Sequence, residues 1–155
     1  MSTESKSKVY GFLQSLFLSV FAGVVLLGPE KPGLARSRAA LAAGNLLCAA
    51  GIVLLLAAIR RIGQSIQIAP APKTDAVLVT TRIYRWFRHP IYTSILILVV
   101  GLFLRKPALW VAAAGTVVIV FLLIKARFEE KLLRARYPDY AGYLRRSWGI
   151  VPGLR

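Results

Sequence analysis

Chemistry in this chain is concentrated in two polar stretches. The first, YRWFRHPIYTS from Tyr84 to Ser94, holds the one histidine, His89, among arginines and tyrosines directly before an apolar run. The second, IKARFEEKLLRARYPDYAGYLRR from Ile124 to Arg146, holds Glu129 and Glu130, the adjacent pair among only six acidic residues. Carboxylates surrounded by so much cationic charge stay ionised, which suits them to an ammonium or sulfonium group. Proline is favoured at a first helical position, where its missing N–H would be unpaired anyway, so Pro90 is expected to open a helix with His89 at its mouth. Tyr92 then faces the same way as His89, and the helix N-terminus offers unpaired N–H groups to a ligand carboxylate. A metal site is not expected: there is no second histidine, and the one cysteine, Cys48, lies inside an apolar run.

Both stretches also have plainer readings. Arg82, Arg85 and Arg88, with Trp86 and Phe87, would make an interfacial turn whose arginines meet lipid phosphates and whose aromatics sit at headgroup depth. Lys125 with Glu129, and Glu130 with Arg134, would make a ladder of weak surface pairs along a helix. YPDY then breaks that helix, and Tyr137, Tyr140, Tyr143 and Trp148 supply aromatic surface nearby.

The elements that must position these residues are membrane helices. The chain has 155 residues, is 57% hydrophobic and carries a formal charge of +15. That much apolar surface cannot be buried in a soluble domain of this length, and a nucleic-acid binder would not also contain several long apolar runs. Four spans are predicted within a single membrane domain, 1–155: 10–28, 39–59, 86–104 and 107–124, with a polar segment, 125–155, after them. The third is short unless it begins near Trp86, and only Arg105 and Lys106 separate it from the fourth. Lys6 and Lys8 before the first span imitate a signal peptide, but that span is long and lacks a clear cleavage site, so it is read as retained.

With four spans and an inner N-terminus, Lys6, Lys8, the six basic residues of 60–88 and the eight of 125–155 fall inside, against five outside. The positive-inside rule therefore places both termini and the middle loop on the cytoplasmic side, and the expected location is the cell (inner) membrane of a bacterium. Both polar stretches then share one face. No internal repeat points to a transporter built from duplicated halves. In the middle loop, DAVLVTT reads as an extended segment able to offer backbone groups to a ligand.

In that order, LVTT, IYRWFRHPIYTS, a helical hairpin and FEEKLLRARYPDYAGYLRR resemble the isoprenylcysteine carboxyl methyltransferase family and the related phospholipid methyltransferases. The likeness runs from about Gly63 to Pro152. It implies an all-α integral membrane enzyme of about four transmembrane helices, whose cytosolic pocket for S-adenosylmethionine is formed by the middle loop and C-terminal helix, with S-adenosylhomocysteine as product. By resemblance, Tyr84, His89, Pro90, Ile91 and Tyr92 contact the cofactor, Ala76, Val77, Leu78 and Val79 lie along it, and Glu129 reaches its amino or ribose groups. Lys125 fits the spacing, and Arg127 the residue type, of the basic group that approaches the methyl acceptor. Arg82 stands where the family often has glycine, and Arg146 replaces a tyrosine.

Methyl transfer from a sulfonium needs an oriented nucleophile, a desolvated cleft and no metal. The expected partners are membrane lipids and a lipid-like or prenylated acceptor, with no nucleic acid. A carboxylate acceptor is already nucleophilic and would be positioned by Lys125 or Arg127. An amine acceptor must lose a proton, for which Glu130 is the nearby base. The acceptor's tail is expected to pass between the third and fourth helices, where Ala112, Ala113, Ala114 and Gly115 are small. The reading from another class is a non-catalytic membrane scaffold.

Overall fold

The computed structural model describes residues 3–28, 37–63 and 78–153. Among these there is no strand. The helices are α1 (Thr3–Leu27), α2 (Arg38–Gly63), α3 (Pro90–Arg105), α4 (Leu109–Arg136) and the short α5 (Tyr140–Arg146), with one 3-10 turn at Arg82–Arg85 before α3. Three helices are long and apolar enough to cross a membrane: Thr3–Leu27, Arg38–Arg61 and Leu109–Arg136. Their outward faces carry exposed Phe12, Leu26, Leu46 and Val53, as lipid-facing surface requires.

The third expected span is the one that changes. The helix begins at Pro90, the residue expected to open it, and not near Trp86 as the span 86–104 would have it; it has 16 residues, roughly 24 Å against a hydrocarbon core of about 30 Å. The reason is local. Residues 86–88 use their backbone for pairing outside any helix: the Trp148 N–H donates to the Trp86 carbonyl at 2.8 Å, and the Arg88 N–H donates to the Trp148 carbonyl at 2.9 Å. A residue before proline is pushed out of the helical region, and His89 has φ −124° and ψ 61°.

Small residues set the packing. On α2, Gly44 and Cys48 face Gly101 of α3, where an added Cβ would lie 3.0 Å from the Gly44 carbonyl oxygen and 2.9 Å from Cys48 Sγ. In lipid, such close approach of two backbones replaces the missing hydrophobic drive between helices. Helices α1 and α4 meet through rings: Phe17 lies edge-on to Phe121 at 4.9 Å, and Tyr10 stacks on Phe128 at 4.8 Å. Gly115 of α4 is the point where Val99 of α3 and Phe21 of α1 converge.

The ends are tied as well. The Ala40 N–H donates to Ser37 Oγ at 3.0 Å, capping α2. Lys106, in the α3–α4 turn, donates from Nζ to the carbonyls of Val25 (2.9 Å) and Gly28 (2.7 Å), placing a cation on the negative end of α1. Arg61 near the end of α2 donates to Thr81 Oγ1 at 2.7 Å, fixing the approach to the 3-10 turn. Helix α4, at 28 residues, is roughly 42 Å long. Its last turns, from Lys125 on, hold seven charged residues in twelve and stand beyond its apolar stretch.

Candidate active site

That charged end of α4 meets the mouth of α3. His89, buried, places Nδ1 3.6 Å from Glu129 Oε2 and Nε2 3.3 Å from Glu130 Oε1, so one imidazole spans both carboxylates. Its ring is parallel to that of Tyr92, 3° apart in plane and 5.3 Å between centres, which is the juxtaposition expected of positions three apart at a helix start. The Tyr92 hydroxyl donates to Glu129 Oε1 at 2.7 Å. Lys125 is buried, its Nζ 3.7 Å from Glu129 Oε1 and 5.4 Å from the centre of the Tyr92 ring. Arg127, two positions on and so on the opposite face of α4, is exposed. Of the two basic residues left open by the sequence, Lys125 is the one brought to the cluster.

Arg88 holds the second carboxylate. Its Nε donates to Glu130 Oε1 at 2.8 Å, and its Nη1 donates to the carbonyls of Ser147 (2.6 Å) and Leu144 (3.2 Å). One guanidinium thereby joins the turn before α3, the end of α4 and the end of α5, which its fixed fork of donors suits. Burial alone would raise the Glu130 carboxyl, but hydrogen bonds from His89 and Arg88 and the Arg88 charge outweigh it and hold the group at about 2. Glu130 is thus fully ionised and already paired, also lying 4.0 Å from Arg134.

Tyrosines close the remaining side. Tyr84 is buried in the 3-10 turn, and its carbonyl accepts a hydrogen bond from the Tyr143 hydroxyl at 2.5 Å. Burial pushes the Tyr143 phenol up to about 12 and raises those of Tyr84 and Tyr140, so all three are neutral donors at physiological pH. The hydroxyls of Tyr84 and Tyr140 are buried with no hydrogen-bond partner among the described residues. A buried unpaired hydroxyl costs free energy unless something bonds it.

Among the other expected site residues, Pro90 is buried at the first position of α3 and Ile91 is half-buried beside it. Leu78 and Val79 are half-buried, irregular chain leading into the turn, while Ala76 and Val77 lie outside the described residues. The backbone at Arg82 has φ +55°, the left-handed region where glycine is at ease and a side chain is strained. Two participants escape a reading of the sequence. Arg88 looks like its neighbours Arg82 and Arg85, yet its side chain is only 5% exposed while theirs are surface groups. Gln14 of α1 accepts a hydrogen bond at Oε1 from Lys125 Nζ. An uncharged amide in an apolar helix was the available signal.

The expected route between α3 and α4 meets close packing at Gly115 and Val99. An apolar cleft of about 250 Å³ opens between α1 and α4, lined by Leu16, Phe17, Val20, Phe21, Ala114 and Val117.

Against known proteins, residues 39–140 match the phospholipid methyltransferase family. The match covers most of the chain, α2 through the start of α5, so the protein belongs to that family and is an integral membrane methyltransferase. No curated protein matches the chain. Methyl donation in the family is generally by S-adenosylmethionine. The groups present here fit such a cofactor: two buried hydroxyls without partners among the described residues, and a carboxylate, Glu129, that no guanidinium among them occupies.

Proposed function

We propose that the protein transfers a methyl group from S-adenosylmethionine to the carboxylate of a lipid-like or prenylated acceptor, at a cytoplasmic site between the mouth of α3 and the end of α4. The observation that carries this reading is the pairing of two electrically different groups on one helix face. Glu129, open to N–H and O–H donors, lies beside the buried ammonium of Lys125, which suits an anion.

The bound cofactor would supply an activated methyl on a sulfonium. In this reading Glu129 accepts from its amino or ribose groups, and the hydroxyls of Tyr84 and Tyr140 donate to its polar atoms. The stacked rings of His89 and Tyr92 form a wall that excludes water. Lys125 attracts the acceptor's carboxylate and holds one oxygen in line for displacement. No base is required, because a carboxylate is already ionised. The acceptor's tail would rest in the α1–α4 cleft. The charge distribution supports a cytoplasmic face, and α3, packed on α2, would serve as the fourth span.

A second reading, methylation of a phospholipid amine, is favoured by the family that the chain matches. It needs a base, and Glu130, held at about 2 by His89 and Arg88, is poorly suited to take a proton.

The test is transfer of labelled methyl from S-adenosylmethionine by the purified protein into total membrane lipid. Label released by mild alkali as methanol is the expected result. Alkali-stable label in phospholipid headgroups would select the amine reading, and no label in lipid would remove both.

A further inference from the structure

The first helix lies outside the matched segment, yet it reaches the carboxylate cluster through Gln14. Lys125 is 4% exposed and makes one short contact, to the Gln14 amide oxygen. Its distance to Glu129 Oε1, 3.7 Å, exceeds the roughly 2.7–3.2 Å of an N–H···O hydrogen bond. The ammonium therefore attracts Glu129 without occupying its lone pairs. A lysine head is a compact charge on a flexible stem and would close the last ångström onto a carboxylate if nothing else held it. Tyr92 takes one position on Glu129 Oε1, and His89 approaches the other oxygen only to 3.6 Å.

We propose that Gln14 is a positioning residue: by holding Lys125 it keeps the Glu129 carboxylate open to the N–H and O–H groups of a nucleoside-bearing cofactor, so that α1 completes the site. This rests on the reading of the cluster as the S-adenosylmethionine site. Without the amide, Lys125 pairs tightly with Glu129 and competes with the ligand's donors for the same oxygens.

Calorimetric titration of S-adenosylhomocysteine into the full chain in detergent tests it, with wild type, Gln14→Leu, Lys125→Met and the double variant. Gln14→Leu is expected to weaken binding about tenfold, the scale of one hydrogen bond to a charged group. In the Lys125→Met background the same change is expected to alter affinity by less than about twofold, because no ammonium remains to collapse onto Glu129. Gln14→Glu keeps an acceptor for Lys125 and should bind nearly as wild type does. Unchanged affinity in Gln14→Leu, or an equal loss in both backgrounds, overturns the positioning role while leaving the cofactor reading standing. Wild-type protein that is folded and does not bind overturns the cofactor reading, and this role with it.

Discussion

The Tyr92 hydroxyl donates to Glu129 Oε1 at 2.7 Å across 37 positions of chain. This bond closes the mouth of α3 onto the charged end of α4 and leaves the second oxygen of Glu129 facing the His89 ring. A hydrogen bond to a charged group such as this carboxylate contributes about 1.5–3 kcal/mol. Tyr92→Phe is therefore expected to lower stability by about that amount and to weaken cofactor binding several-fold, measured by thermal unfolding and titration in detergent. A variant indistinguishable from wild type in both would show that the bond organises nothing.

Arg88 should matter more. Its removal in Arg88→Met takes away the shortest partner of the Glu130 carboxylate, leaving His89 and Arg134, and frees the carbonyls of Leu144 and Ser147. Breaking a buried pair by deleting one partner costs about 3–5 kcal/mol, and Lys lacks the fork to replace it. Arg88→Lys should rescue little of the loss. Full rescue by lysine would mean that charge alone, not the three-way tie, is what counts.

Acid should loosen the same corner. The Glu130 carboxyl sits at about 2 in the folded chain against an ordinary 4.5, so the unfolded state takes up the proton first as pH falls. The stability it contributes is complete above about pH 4.5 and is lost between about 4.5 and 2. Melting temperature followed across that window should fall less in Glu130→Gln than in wild type. Parallel curves for the two proteins would contradict this assignment.

Relief of strain is expected at Arg82, where φ is +55°. A side chain in this region costs roughly 1–2 kcal/mol, partly offset by the entropy that glycine loses on folding. Arg82→Gly should raise stability by up to about 1 kcal/mol, read as a higher melting temperature. At Gly101 the direction reverses, since Gly101→Val drives a side chain into the Gly44 carbonyl and Cys48; overpacking there should cost about 1–3 kcal/mol.

Much of this organisation was legible in the sequence. Apolar runs mark the helices, because a span in lipid must satisfy its own backbone, and His89-Pro90 with Glu129-Glu130 mark the two stretches that the fold brings together. Pro90 marks the start of α3 as expected, but the span 86–104 overruns it, because Trp86–Arg88 pair with Trp148, a contact sixty residues away that no local pattern encodes. Arg88 was hidden among surface arginines of the same spacing, and only the fold buries it. For Gln14 the one signal is an amide in an apolar helix, and it names no partner until α4 is laid against it. The choice between Lys125 and Arg127 required the rotation of α4, which residue type and spacing left open.

The most direct measurement is titration of S-adenosylhomocysteine into the purified protein and its Glu129→Ala variant. Wild type is expected to show saturable one-to-one binding and the variant a loss of at least about tenfold, with both proteins folded. Folded wild-type protein that takes up no ligand, or a Glu129→Ala variant that binds equally well, would contradict the cofactor reading.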